Sequence, residues 1–128
     1  MMDAASKKRI LIVEDEPTII EVCQRTLVKE FDVDIAVNGS LGKDMLEKKE
    51  YDLIIVDIVT PVMDGKQLYH FIAEKHPHLA KRVVFTTGDV LGSDTKSFIE
   101  KGGQPFLLKP FTPSELVSVV RKTLCQAE

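Results

Sequence analysis

The sequence predicts an α/β domain: a five-stranded parallel sheet, doubly wound, with helices on both faces. Three observations predict it. Short β-branched runs alternate with longer stretches of helical spacing. Three of the runs are almost wholly apolar, as strands buried on both faces should be. Helix-start and helix-stop signals fall between the runs rather than inside them.

The strands are expected at Ile10–Val13, Val33–Val37, Leu53–Val56, Val83–Thr87 and Phe106–Leu108. Between them, Ile19, Val22, Cys23, Thr26 and Leu27 make one helical stripe, with Pro17 suited to its first turn. A weaker second stripe has Leu41, Met45 and Leu46. The third has Leu68, Phe71 and Ile72, and Pro77 should stop it. The fourth helix is short, with Phe98 and Ile99 as anchors and Gly102 at its end. The fifth carries Leu116, Val119, Val120 and Leu124. It opens on Thr112-Pro113-Ser114-Glu115, a capping hydroxyl followed by proline and then an acid.

Composition narrows the function classes. The chain has 128 residues, 44% of them hydrophobic and 29% charged, which suits one globular domain with a core of its own. With 17 basic and 20 acidic side chains the net charge is −3, so a dedicated nucleic-acid surface is not expected. No apolar run approaches membrane-span length. Cys23 and Cys125 make neither a disulfide framework nor a metal pattern, which fits a reducing, cytoplasmic setting. Cys23 reads as core, and His70, His76 and His78 as surface. Residues 1–8 read as a loose lead-in to one domain over 9–125, with no output domain.

In open α/β sheets the chemistry lies beyond the carboxyl ends of the strands. There the sequence places Glu14-Asp15-Glu16, Asp57, Thr86-Thr87-Gly88-Asp89 and Lys109-Pro110. Each alone has an ordinary explanation: acids suit a helix start, and an aspartate suits a turn. Together they are harder to dismiss. Two unit charges about 4 Å apart interact by about 4 kcal/mol at an effective dielectric near 20. Glu14, Asp15 and Asp57 sum to −3 and Lys109 returns +1, leaving −2, which one divalent cation matches. Hard oxygen donors in small number suit magnesium that keeps some of its waters. No glycine-rich phosphate loop follows the first strand, so a nucleotide is not the expected carrier of phosphate. A carboxylate can itself become an aspartyl-phosphate, and Asp57 is the natural acceptor. Lys109 and the Thr87 hydroxyl would hold the phosphoryl oxygens.

At this point the chain resembles the receiver domain of two-component response regulators. The resemblance spans about residues 8 to 124 and rests on four motifs. These are Glu14-Asp15, the run from Asp57 to Gly65, Thr87-Gly88, and Lys109-Pro110-Phe111. It implies a flavodoxin-like sheet of strand order 2-1-3-4-5. It implies that Asp57 takes a phosphoryl group from a phosphohistidine on a histidine kinase or histidine phosphotransfer protein. Asp15, Asp57 and the Val59 carbonyl would hold Mg2+, with Glu14 assisting. Thr87 and Phe106 would form a switch that changes the face of the fourth helix, fifth strand and fifth helix. A downstream protein or a second copy would read that face. Thr87-Gly88-Asp89-Val90-Leu91 and Gly103-Gln104-Pro105-Phe106 look most like receivers of hybrid histidine kinases.

Two further expectations concern the pocket rim. Ile20 and Phe111 would flank it and meet the donor's helices. Val59 and Asp89 would guard the path of water to the phosphoryl group and so set its lifetime. Two other readings compete with this one. A haloacid dehalogenase-type phosphatase would need a second aspartate where Val59 stands. A receiver-shaped module that is never phosphorylated would not need Asp15, Asp57, Thr87 and Lys109 intact.

Overall fold

The computed structural model describes residues 7–59, 63–88, 97–98 and 101–126. Its elements are β1 (Arg9–Val13), α1 (Pro17–Leu27), β2 (Asp32–Ala36), α2 (Gly39–Lys48) and β3 (Leu53–Asp57), followed by α3 (Gly65–Lys75) and a one-turn α4 (Pro77–Ala80). After these come β4 (Val83–Thr87), β5 (Phe106–Leu108) and a last helix, here α5 (Pro113–Gln126). All four strand pairings are parallel, in the order β2-β1-β3-β4-β5. The order matches the expectation, and it puts β1 and β3 side by side at the centre.

Alternation along the strands builds two cores. Ile10 and Ile12 of β1, Leu53 and Ile55 of β3, and Val84 of β4 pack under α1 and α5 with Cys23, Leu27, Leu116 and Val120. Leu11, Val13, Ile54, Val56, Val83 and Phe85 face the other way, onto Leu46, Leu68 and Ile72 of α2 and α3. Strands buried on both faces cannot show a polar alternation, which is why they read as continuous apolar runs.

The helix ends are chemically fixed. Asn38 Oδ1 accepts the Leu41 N–H at 2.8 Å to start α2. Asp64 and Gln67 form a reciprocal capping box on α3, with bonds of 2.9 and 3.0 Å. Thr112 and Glu115 form the expected one on α5, at 3.1 and 2.8 Å.

Four details depart from the sequence reading. Strand β2 starts and ends one residue earlier than expected, at Asp32 and Ala36. Leu41 is 44% exposed, and the buried stripe of α2 is Gly39, Gly42 and Leu46. The helix lies so close to the sheet that a Cβ at Gly42 would sit 3.0 Å from Val13 Cγ2, so glycine supplies the contact that a larger residue was expected to make. Beyond Pro77 the chain makes the extra turn α4, which buries Leu79. The left-handed residue near the fourth expected helix is Gly103, with φ 69°, rather than Gly102. Residues 97–98 and 101–102 are helical, while Ile99 lies outside the described residues. Phe98 stacks edge-on against Phe85 and Tyr69, at 5.3 and 6.0 Å between centroids. The Tyr69 hydroxyl accepts a 3.0 Å hydrogen bond from Gln104 Nε2.

Candidate functional site

The carboxyl ends of the strands converge on one pocket. Strand β1 runs into Glu14, whose N–H donates to Ala36 O at 3.0 Å, so the residue stays in the sheet's frame and is 2% exposed. Asp57 ends β3, where the ladder to Thr86 of β4 holds it, and is 5% exposed. Lys109 follows β5, and its N–H donates to Thr87 O at 2.8 Å. These backbone bonds fix three charged side chains at the carboxyl ends of β1, β3 and β5 before any side-chain contact is made.

The Lys109 ammonium sits among three carboxylates. Nζ is 2.9 Å from Glu14 Oε1, 2.9 Å from Glu16 Oε1 and 3.1 Å from Asp57 Oδ2. The Glu14 contact is an ion pair that lacks hydrogen-bond alignment, so Oε1 is a buried acceptor without a directed donor. Its other oxygen, Oε2, accepts the N–H groups of Asp15 and Glu16, both at 3.1 Å. Asp57 Oδ1 accepts the Val59 N–H at 3.2 Å.

The charges shift one another. Burial pushes the Glu14 carboxyl above its ordinary value, and the nearby Asp57 charge adds to this. The Lys109 contact and the Glu16 N–H pull it back only in part. Burial also works against the Lys109 charge. The contacts with Glu14 and Glu16 and the Asp57 charge outweigh that, so Lys109 holds its proton more tightly than an ordinary lysine. Lys109 is thus the beneficiary of the cluster and Glu14 bears its cost. Cys23 is pushed up to about 12, chiefly by burial, and is an inert core thiol.

Carboxylate oxygens of Glu14, Glu16 and Asp57 lie within 4.8 Å of one another. The set is all oxygen, with a buried acceptor short of a directed donor, and this donor chemistry fits a hard divalent cation. The pocket has a volume of about 400 Å³. Asp15 and Glu16 line one side, Asp57 and Val59 the floor and lip, and Thr87, Gly88 and Lys109 the other side. Larger grooves of about 890 and 930 Å³ lie at the amino-terminal edge of the sheet and between α1 and α5. Among the described residues neither groups buried acids around a cation as this one does, so chemistry rather than size marks the site.

Most expected residues meet here. Glu14, Asp57, Thr87 and Lys109 are gathered, and Thr87 is buried at 1% exposure. Asp15 lines the pocket, but its carboxylate is outside the close oxygen cluster, where Glu16 stands instead. The Glu14-Asp15-Glu16 run carried a signal for Glu16, since its side chain has the longer reach. Val59 stands 72% exposed at the lip. Phe106 is 44% exposed on the edge strand, turned out of the core. Asp89 lies outside the described residues. Ile20 is half-buried on α1 and is not one of the residues that line the pocket. Phe111 departs from its expected place: it is 9% exposed and packs into the core under α1 and α5, where its ring gains more from burial than from solvent.

Comparison with known proteins agrees with this geometry. The family model described as the response regulator receiver domain matches residues 10–121. The transcriptional regulatory protein PcoR of Escherichia coli is 37% identical over 121 residues, 94% of this chain and 53% of that protein. The response regulator Rre1 of Synechocystis is 34% identical, over 93% of this chain and 52% of its own length. The chain spans about half the length of these curated relatives. Among solved structures, a CheY-like response regulator receiver domain protein from Methanospirillum hungatei JF-1 superposes with a TM-score of 0.85 at 26% identity, covering 95% of this chain and 97% of that one. The receiver domain of a histidine kinase from Syntrophus aciditrophicus gives 0.81 at 30% identity, covering 93% and 91%. The chain therefore belongs to the response regulator receiver domain family, the receiving half of two-component signalling.

Proposed function

We propose that this chain is a phosphoacceptor in a two-component phosphorelay, taking a phosphoryl group onto Asp57 from a phosphohistidine on a histidine kinase or phosphotransfer protein. The observation that carries the reading is a nearly buried aspartate at the end of a central strand with a lysine ammonium 3.1 Å away, at the floor of an open acidic pocket. In the transfer, an Asp57 oxygen forms the new bond to phosphorus. The bond from phosphorus to the donor nitrogen breaks, and its electron pair stays on nitrogen.

Residues of this chain prepare that step. The Val59 N–H on Asp57 Oδ1 orients the carboxylate. Lys109 and Thr87 stand where the equatorial oxygens gather negative charge. Glu14, Asp15, Asp57 and the Val59 carbonyl are the groups that would hold Mg2+. When bound, the ion supplies charge neutralisation between Asp57 and the incoming phosphoryl group. Binding of the phosphoryl group would draw Thr87 toward it. Phe106, now exposed, would then turn inward, and the surface of β5, α5 and the helical segment before β5 would change for a downstream protein or second copy. Catalysis is confined to the chain's own phosphorylation and dephosphorylation. A haloacid dehalogenase-type phosphatase is disfavoured by Val59, an apolar residue where that chemistry needs a second aspartate.

The test is Asp57→Asn with a phosphohistidine donor, followed by intact mass. The variant should fold and gain no phosphoryl group, whereas the wild type gains one. Phosphate on the variant at the wild-type rate would place the acceptor elsewhere.

A further inference from the structure

The ammonium of Lys109 has three N–H bonds to give, and three carboxylate oxygens surround it. Its directed hydrogen bonds go to Glu16 and Asp57, with the Glu14 oxygen as an unaligned ion-pair neighbour, so a phosphoryl oxygen on Asp57 competes with these carboxylates for the ammonium. Two of them are fixed. Glu14 is 2% exposed, and its Oε2 is held by two backbone N–H groups. Asp57 is 5% exposed, held by the Val59 N–H, and is the group that receives phosphate.

Glu16 is different. Its side chain is 54% exposed, and among the described residues Lys109 is its side chain's hydrogen-bond partner. It also stands at the N-cap of α1 and makes no side-chain cap bond there. The helix forgoes its cap while the carboxylate reaches across to β5. The residue is thus spent on Lys109, through the contact easiest to break.

We propose that Glu16 is a positioning residue that parks Lys109 in the unphosphorylated protein and releases it to the phosphoryl group, so that Glu16 opposes phosphorylation at equilibrium. The proposal rests on the phosphoacceptor reading. Its physical basis is a competition for one cation. A phosphoryl group carries more charge than a carboxylate, so it would displace the solvent-screened Glu16 rather than the buried Glu14.

Beryllofluoride with saturating magnesium, a stand-in for the phosphoryl group on a carboxylate, tests this by calorimetric titration of the 128-residue chain. Glu16→Gln removes the charge. Glu16→Asp keeps it but is one methylene shorter and loses the reach. Both should bind beryllofluoride about two- to fivefold more tightly than the wild type, the scale of an exposed ion pair. The gap should narrow at high salt, because Glu16 is exposed. Unchanged thermal midpoints would separate this from a folding effect, and no cap bond is lost in either variant. Unchanged or weaker beryllofluoride binding by both variants overturns the proposal. So does Glu16→Asp matching the wild type, since the contact rather than the charge is then irrelevant. Magnesium affinity of Glu16→Asp falling as far as that of Asp15→Asn would make Glu16 a metal ligand and overturn it too. Absence of beryllofluoride binding in the wild type, or its survival in Asp57→Asn, would instead overturn the phosphoacceptor reading beneath it.

Discussion

Lys109 Nζ lies 2.9 Å from Glu14 Oε1, a contact that favours the charged form of both, yet only the lysine ends up held in its charged form. The lysine is held protonated by its acidic neighbours, whereas the glutamate, more deeply buried, is pushed toward its neutral form. A site of this kind is built for charge that arrives later. Three carboxylates stand around one ammonium, an excess of negative charge that a bound cation would offset.

The pH dependence of stability follows from Glu14. Its folded-state value lies above the ordinary 4.5, so the folded protein binds this proton more tightly than the unfolded chain does. Between the two values the folded state carries more protons, and stability from this group falls as pH rises through the folded value. It is recovered as pH is lowered toward 4.5. Glu14→Gln keeps an oxygen for the Asp15 and Glu16 N–H groups and removes the buried charge. Without magnesium it should be more stable near neutral pH by about 1 kcal/mol, with a flatter profile on the acid side. Urea unfolding over a pH series checks this. A less stable variant, or an unchanged slope, would show that the Lys109 contact outweighs burial.

Two glycines of α2 should respond differently to alanine. A Cβ at Gly39 would fall on the Met63 carbonyl, 2.8 Å from its carbon, and Met63 belongs to the connection from β3 to α3 that also carries Val59. Backbone cannot move aside cheaply, so Gly39→Ala should cost about 2 kcal/mol. At Gly42 the neighbour is a side-chain methyl, Val13 Cγ2, at 3.0 Å. There a propensity gain of about 1 kcal/mol offsets the crowding, and Gly42→Ala should be nearly neutral. Equal losses in urea midpoint for both variants would contradict this account.

The same glycines show where sequence reasoning ran out. Strand β3 was legible because Leu53 to Val56 are apolar at every position, and two opposed cores are what such a run means. Asp57, Thr87 and Lys109 were legible because strand ends are fixed by topology once the alternation of elements is known. On α2, Met45 and Leu46 pack as the stripe predicts, but Leu41 is exposed because Gly42 buries backbone rather than side chain, and hydropathy has no measure of that. Phe111 was misplaced because the turn after Lys109 decides which way the ring points, and that direction is a tertiary outcome. Glu16 was seen only as one of three acids. Its role depends on side-chain reach from the end of β1 to a lysine 93 residues away.

Donor docking should run through α1. Ile20 lies one turn beyond Glu16 on α1, its N–H donating to Glu16 O at 3.0 Å, and its side chain is half-buried. Phe111 supports that region from within the core rather than presenting its ring. Ile20→Glu should slow transfer from a phosphohistidine protein about tenfold, the scale of an interface anchor. Transfer from a small phosphodonor should be unchanged, because that donor needs only the pocket. Equal slowing with both donors would mean that the substitution damages the site itself.

The lifetime of the phosphoryl group should be set at Val59. Loss of phosphate requires water to attack phosphorus in line with the Asp57 oxygen. The new P–O bond forms, the Asp57–phosphorus bond breaks, and the carboxylate recovers its electron pair. Something must hold that water. The Val59 backbone is anchored to Asp57 Oδ1 at 3.2 Å, while its side chain stands 72% exposed at the pocket lip. An isopropyl group there offers water no hydrogen bond and covers part of its approach. Slow to intermediate self-dephosphorylation follows. Val59→Asn adds a carboxamide that can orient the water and should speed phosphate loss about tenfold, short of the ~10²-fold that a positioned proton-transfer group supplies. Val59→Ala opens the approach without adding a polar group and should change the rate about twofold or less. Neither change touches the core, so stability should stay within about 0.5 kcal/mol. The measurement is decay of the phosphorylated mass with magnesium saturating. An unchanged or slower rate in Val59→Asn would remove water orientation as the missing function. Equal acceleration in both variants would show that access, rather than orientation, limits the reaction.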